Sequence, residues 1–560
     1  MRQFKLFNTK DLIPRTVELF NGRLAYTPRL FGKDCVSGII VGIVALPLAM
    51  AFSIAAGGTP AQGLWTAIIA GFFISALGGS RYQIGGPTGA FVVIIFAVIG
   101  KHGMGGLLAA TVIAGLLLCV MGLCGLGKFI KYIPYPVTTG FTAGIGVIIF
   151  SQQVKDFLGL DIAVSSPEFF TRWVEYFHAL GTLEMPALAA GAGTVIIIII
   201  LRVFFPQVPG AVAAVFFVTL IIYFGGVDVE TIASRFGGIP RAIPLPVIPP
   251  ISWEVIVDVF PDAVTIALLA AIESLLSAVV ADSMTGDNHN SNTELIAQGI
   301  GNIAAGIFGG IPATGAIART ATNIKSGAVS PVSGIVHTAT LMFFVLFVAP
   351  AAEQIPLACL SAVLMVVSWD MSNMPRFIRI VRTATKSDVS VMVTTFVLTV
   401  VVDLTFAVGV GFVLALFLFM RRMIEVAGIK AENDEVIHQL AFGHDNKDSE
   451  FIRNLAKQDI EVYEINGPFF FGVADMLQNT LRRMSKTPKK IVLRMRSVPA
   501  IDSTGIAALE SLFLNCKKKK IALVIAEAHD QPRSALAKSG FFDLIGEGNV
   551  VSSLEAALAL

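Results

Sequence analysis

Read for hydropathy alone, the chain changes character once. From about Cys35 to Met420, apolar runs long enough to cross a bilayer follow one another, separated by short connections where Gly, Pro and charged residues gather. Beyond Met420 charged residues become frequent and the apolar runs shorten to strand length. The runs fall near 35–56, 61–79, 87–100, 106–125, 132–152, 185–204, 209–225, 262–282, 294–309, 315–325, 331–350, 355–369, 388–404 and 405–421. The pattern predicts fourteen α-helical membrane segments, two of them short. The last two crowd around Asp403 and are alternatively one tight re-entrant hairpin. The expected organisation is a cytoplasmic N-terminal segment, 1–34, a transmembrane domain, 35–425, and a linker with a soluble α/β domain, 426–560.

Composition sharpens the class. The chain is 55% hydrophobic and 14% charged, against about 25% charged in soluble proteins. A net charge of +2 with a single short basic run, Lys517 to Lys520, argues for a solvated helix end and against a nucleic-acid partner. The five cysteines lack metal-ligand spacing, and no GxxxxGK[ST] phosphate loop is present. Neither a metal, a cofactor nor an enzymatic activity is expected. The first long apolar run starts late and follows a polar stretch, so no cleavable signal peptide is expected.

Basic residues set the orientation. Arg15, Arg23, Arg29 and Lys33 precede the first segment. Arg81, Lys128, Lys131, Lys325, Arg376, Arg379, Arg382, Arg421 and Arg422 fall in connections that an even number of crossings returns to the same side. The opposite connections carry fewer basics, chiefly Lys101, Arg235 and Arg241. The positive-inside rule then puts both termini in the cytoplasm.

Two strings nearly repeat: Gly85-Gly86-Pro87-Thr88-Gly89-Ala90 and Gly309-Gly310-Ile311-Pro312-Ala313-Thr314-Gly315-Ala316. Each runs into an apolar segment, one the third and the other the tenth. Gly and Pro interrupt a helix, so both segments are expected to begin partway across the bilayer. A half-helix N-terminus exposes unpaired N–H groups and about half a positive charge. Two such ends in corresponding places of two seven-segment halves describe an inverted repeat with an anion site between them. Thr88, Gly89, Ala90, Thr314, Gly315 and Ala316 are the expected cradle, through backbone N–H groups and hydroxyls.

Ionisable groups within membrane segments are costly and mark function. Glu273 lies mid-segment, with Ser274 beside it and Ser277 one turn on. Burial favours its neutral form and a nearby cation its ionised form, so it reads as a proton carrier or as a structural carboxylate paired with a neighbouring helix. Arg319 follows Thr314 by five residues and reads as counter-charge to a bound anion or as the partner of Glu273. If protonating Glu273 releases Arg319, proton and anion bind together, which is symport. Asp258 and Asp262 read as caps or vestibule charges, and His289 and Asn290 as a solvated turn. Lys155 and Asp156 read as interfacial. Gln152 and Gln153 face the transport path or bond between helices. The stretch from Gly226 to Pro261 reads only as a connection between the halves.

In the tail, Ile460–Ile465, Ile491–Arg496 and Ile521–Ala526 read as strands, with Gly467-Pro-Phe-Phe-Phe-Gly472 as a turn. Asp502-Ser503-Thr504-Gly505 reads as the cap of a helix from Ile506. This strand–cap–helix unit resembles the STAS domain, and Ser503 occupies the place where bacterial anti-sigma-factor antagonists are phosphorylated. With that tail, the string Ile272-Glu-Ser-Leu-Leu-Ser277, Asn302, Gly309-Gly-Ile-Pro312, Ala318-Arg-Thr320 and Ser330-Pro331 resembles the SulP family of sulfate permeases. The resemblance covers nearly the whole chain. It implies a core moving against a gate, an anion held between the third and tenth helices, and a homodimer with cytoplasmic STAS domains open to a protein partner. It also implies coupling and substrate roles for Glu273 and Arg319. Sodium-coupled bicarbonate members carry aspartate where this chain has Glu273. The Glu-Ser-Leu-Leu string is closer to bacterial members associated with proton-coupled uptake, C4-dicarboxylates included. The expectation is therefore a secondary transporter of the cytoplasmic (inner) membrane, symporting sulfate or a C4-dicarboxylate with a proton. Its alternatives are a sodium-coupled bicarbonate transporter, a nucleobase permease of the same architecture, an uncoupled anion channel and a signalling anchor.

Overall fold

The apolar runs form helices because the bilayer offers no partner to a free peptide group and each helix pairs its own. The computed structural model describes residues 12–20, 26–130, 135–162, 166, 168–249, 252–402, 404–426, 428–431, 459–470 and 488–560. Asp403, Arg23, Lys131, Phe471 and Gly472, used in the sequence argument, lie outside them. The chain divides into two compact units, Met1–Ala415 and Leu416–Leu560.

The first unit is a polytopic helical domain. Its membrane segments among the described residues are α1 (Pro28–Ala55), α2 (Pro60–Leu77), α5 (Tyr135–Leu158), α6 (Met185–Phe204), α7 (Gly210–Gly225), α8 (Trp253–Thr285), α9 (Ser291–Ile307), α10 (Ile317–Lys325), α11 (Val332–Ala352), α12 (Leu357–Ser372), α13 (Lys386–Val401) and α14 (Leu404–Val426), the last running past Ala415. The remaining helical stretch, Gly89–Leu123, is broken at Gly103 (φ 66°, ψ −175°) into α3 (89–102) and α4 (104–123). Fourteen segments result, seven in each half. Helix α10 has nine residues, about 14 Å of rise, and cannot cross a bilayer alone.

Three departures from the sequence reading have local causes. Helix α8 starts at Trp253, capped by the Ser252 hydroxyl, and takes Pro261 into its interior, so Asp258 and Asp262 sit on the helix instead of before it. Residues 226–249 are more than a connection. Ile232 and Ala233 donate to the carbonyls of Ile355 and Glu353, Ile239 N donates to the Glu353 carboxylate, and Val247 N donates to Ile307 O, which straps the stretch onto two inter-helix turns. His289 and Asn290 are half-buried and bonded within the protein instead of forming a free turn. The His289 imidazole lies 2.6 Å from Asp282 and 3.0 Å from Ser291, and the Asn290 side chain caps α9. Two amphipathic helices, Phe169–Ala179 and Met374–Thr383, were not anticipated, and the second carries Arg376, Arg379 and Arg382.

Close helix packing rests on small residues. Gly115 of α4 and Gly299 of α9 meet backbone to backbone; a Cβ on either would lie 2.6 Å from the other's carbonyl oxygen. Ahead of α1, the Arg15 backbone N–H and the Thr16 hydroxyl donate to the last carbonyls around α2, Gly78 O and Ala76 O, at 3.0 and 2.7 Å. Glu18 pairs with Arg15 and, at 2.7 Å, with Arg81, which also reaches Asp287 at 3.5 Å. Burial pushes the Glu18 carboxyl up, but the Arg81 and Arg15 guanidiniums outweigh burial and hold it below the usual range. A fully buried carboxylate, Glu294, closes the same turn from α9: its Oε2 accepts from Gly79 N and Ser80 N at 2.9 and 3.2 Å.

The second unit is an α/β domain. Strands β3 (Gly428–Ala431), β4 (Ile460–Asn466), β5 (Lys490–Ser497), β6 (Ala522–Ala526) and β7 (Val550–Val551) form one sheet in that order. Strands β3 and β4 are antiparallel and the rest parallel. Alternation along β5 sends Ile491, Leu493 and Met495 to one face, against Leu509 and Leu512 of α15 (Ser503–Lys518). Val492 goes to the other face with Val462, Val524 and Ala557. The Asp502 carboxylate accepts from Gly505 N at 2.8 Å, which is the expected cap.

Gly115→Val and Gly299→Val are each expected to lower the melting temperature of the purified protein, at a cost of about 1–3 kcal/mol or more from overpacking. An unchanged melting curve would exclude the close contact. The Glu18 latch is present above the ordinary carboxylate range and is lost as pH falls through it, because its folded-state pKa is the lower one. Acid should therefore raise hydrogen exchange at residues 12–20 earlier in wild type than in Glu18→Gln, where the latch is already weak.

Candidate functional site

The two repeated strings meet. Residues Gly85–Gly86 (β1) pair antiparallel with Thr314–Gly315 (β2), Gly85 opposite Gly315 and Gly86 opposite Thr314. Ala316 N extends the pairing to Ile84 O at 2.8 Å. Each strand leads straight into a half-helix, α3 or α10. Antiparallel pairing of matching strings is what an inverted repeat requires. Glycine is needed at both centres. A Cβ on Gly315 would lie 1.6 Å from the Gln83 amide, and Gly86 (φ 149°) would bring one to 2.7 Å from Arg319 Nη1.

Broken helices leave peptide groups that need partners, and named side chains supply them. Asn302 of α9 donates to Ala313 O and accepts from Ala313 N, both at 2.8 Å, copying a strand neighbour. The Thr66 hydroxyl accepts from Ile311 N at 2.7 Å. On the other leader, Ile84 N donates to the Thr320 hydroxyl at 3.1 Å, which also accepts from Ser277 of α8 at 3.1 Å. Gln83 donates to Ser274 O at 3.1 Å, and the Thr314 hydroxyl to Ala270 O at 3.0 Å. One face of α8 thus supports both leaders.

The charged groups sit beside this bridge. Thr88, the residue before α3, donates its hydroxyl to Glu273 Oε2 at 2.9 Å, and both residues are half-buried. Arg319 is 3% exposed; its Nη2 donates to Pro87 O, while Nη1 has no protein partner. Ile317 and Ala318, in the first turn of α10, are exposed, so this end opens outward from the packed core. At the N-terminus of α3 a Cβ on Gly89 would meet Met371 of α12, Ile149 of α5 and Phe52 of α1 at 2.7–3.3 Å. Apolar side chains from three helices therefore crowd that end.

The sequence model described as the sulfate permease family matches residues 31–395, and the model described as the STAS domain matches residues 452–557. The chain belongs to the sulfate permease family. A putative sulfate transporter, YvdB of Bacillus subtilis (strain 168), is 43% identical over 94% of this chain and 97% of its own length. The bicarbonate transporter BicA of Picosynechococcus is 31% identical over 94% of both chains. Among solved structures, the murine anion transporter Slc26a9 in the inward-facing state superposes with a TM-score of 0.84 at 17% identity. It covers 100% of this chain and 95% of that one. The transmembrane domain of a cyanobacterial BicA superposes with a TM-score of 0.61 at 30% identity, over 70% of this chain and 98% of that one.

In this family member the structure brings Thr88, Gly89, Ala90, Thr314, Gly315, Ala316, Glu273 and Arg319 to one bridge, but not all in the expected roles. The Thr314 hydroxyl donates into α8 and the Ala316 N–H to Ile84 O, so both donors are taken within the protein in this structure. Glu273 and Arg319 make no ion pair within 4.0 Å; each bonds to the leader of α3 instead. Gln83, Thr66 and Thr320 were not singled out as supports, although their polar groups in apolar surroundings were the available signal. Asp156 pairs with Arg235 at 2.9 Å.

Replacing Asn302 by Leu removes both bonds to Ala313 and strands two buried peptide groups. The expected loss is about 2–4 kcal/mol of stability, read by thermal melting, with Asn302→Asp intermediate. Equal melting of all three proteins would refute the role.

Proposed function

We propose that the chain is a secondary transporter that binds a small anion where α3 and α10 converge, and that it couples the anion to a proton through Glu273. The observation that carries this reading is a buried guanidinium with one free N–H corner, Arg319 Nη1, between two half-helix N-termini. Unpaired N–H groups of the first turns and the Arg319 charge favour an anion in the region. Membership in the sulfate permease family and the names of its sulfate- and bicarbonate-transporting relatives support the same class.

Coupling follows from charge. With Glu273 ionised, the site holds one carboxylate and one guanidinium, and an incoming anion meets no net attraction from side chains. Protonating Glu273 raises the site's charge by one unit and leaves its Thr88 contact intact with the hydroxyl as acceptor or donor. The protonated site is the one that accepts an anion, which makes transport a symport. Sulfate and C4-dicarboxylates are the proposed cargo. The 31% identity to BicA favours bicarbonate as the second reading. We place the protein in the cytoplasmic membrane as a homodimer with both termini inside, on the distribution of basic residues and the family architecture.

The test is uptake of labelled sulfate, bicarbonate and succinate by purified protein in liposomes, with and without an inward proton gradient. Gradient-driven accumulation of one of them is expected. Glu273→Gln mimics the protonated carboxyl: anion binding should persist while uptake stops following the gradient, and accumulation that still tracks an imposed pH difference would sink the assignment. Arg319→Ala should weaken anion binding by about tenfold or more, the worth of one charge-assisted contact, with Arg319→Lys in between.

A further inference from the structure

His102 ends α3, and Gly103 then turns the chain into α4. Its imidazole lies between two carboxylates of α8: Nδ1 is 2.9 Å from Asp258 Oδ2 and Nε2 is 3.2 Å from Asp262 Oδ2. The two aspartates are four residues apart and share a helix face. The side chains of His102 and Asp262 are each 14% exposed, and that of Asp258 is 70% exposed. A neutral imidazole carries one N–H and one lone pair. Whichever nitrogen held the proton, the other would turn its lone pair on a carboxylate oxygen. Only the imidazolium donates to both.

The location matters as much as the chemistry. Helix α3 carries Thr88 at one end and His102 at the other, about 21 Å apart by helical rise. Helix α8 carries Glu273 and, eleven residues earlier, Asp262, about 16 Å away. The same two helices are therefore joined twice, by Thr88–Glu273 at the proposed site and by His102 with Asp258 and Asp262 at the far end. We propose that His102 is a positioning residue for the Thr88–Glu273 contact and that it works as the imidazolium.

With the proton in place, the far end of α3 cannot slide or tilt along α8. Without it, the largely buried Asp262 loses its cationic partner and faces a lone pair, and that corner opens. Lys101 precedes His102 on its own helix, and Glu254 lies one turn before Asp258 on α8. From α2, Gln62 donates to Met104 Sδ at 3.3 Å, a neutral contact. Among the described residues, Asp258 and Asp262 are the charged groups within ion-pairing distance of His102.

The inference rests on the transport reading for only one of its two readouts. Thermal melting of the purified protein and the anion KM in liposomes are measured as a function of pH from about 5 to 8. The proteins are wild type, His102→Gln and His102→Arg. Any pH response of Glu273 is common to all three, so the clamp is read from the differences between them. Expected is a wild-type KM that moves with rising pH from the value of the Arg variant to that of the Gln variant. Those two values should differ by roughly threefold to thirtyfold, the usual range of coupling between distant residues. Melting temperatures should separate in the same order. Melting profiles of both variants that follow wild type at every pH would overturn the clamp. Profiles that separate while KM stays common to all three would overturn the positioning role. Separated profiles with no anion uptake by any protein would uphold the clamp and count against the transport reading instead.

Discussion

A peptide group inside a bilayer finds no water, and every feature of the central site answers to that constraint. Helices α3 and α10 start partway through the membrane, so their leaders expose N–H and C=O groups that a continuous helix would have paired. The smallest sheet that serves, two residues from each leader, takes some of them. Asn302, Thr66, Thr320 and Gln83 take others, one bond at a time. What remains unpaired at the helix starts is the resource the proposed binding site uses. The polar side chains of this core are thus best understood as the cost of breaking two helices.

The support is lopsided. Although both leaders are built from matching strings, the buttress for the first comes from α8 and α10, in the second half, and α8 also receives the Thr314 hydroxyl of the second. Glu273 and Arg319 both belong to the second half, and both reach across to the first, at Thr88 and Pro87. An inverted repeat in the backbone therefore carries a single, unsymmetrical set of charges. In the proposed coupling, that asymmetry means that one proton changes the site's charge without a compensating change in the other half.

Much of the fold was legible because bilayer length and helix-breaking residues are strong signals. The repeated Gly-Gly-Pro and Gly-Gly-Ile-Pro strings located both leaders, and Glu273 and Arg319 stood out as charges in apolar runs. What the sequence hid was direction. A hydroxyl next to a broken helix reads equally well as a ligand contact or as a backbone cap, and only the fold shows that Thr314 bonds Ala270. The start of α8 was misplaced because Pro261 looked like a boundary, whereas a helix whose neighbours pack tightly tolerates an interior proline. His289 looked solvated because its partner Asp282 is seven residues away on the preceding helix, beyond any local pattern. The pairing of His102 with Asp258 and Asp262 spans more than 150 residues and had no signature at all.

The two-residue bridge carries a final consequence. Because β1 and β2 are hydrogen-bonded to each other, the starts of α3 and α10 cannot separate without breaking that bridge, so a displacement of one carries the other with it. A site whose walls move as one piece presents the same chemistry whichever compartment it opens to.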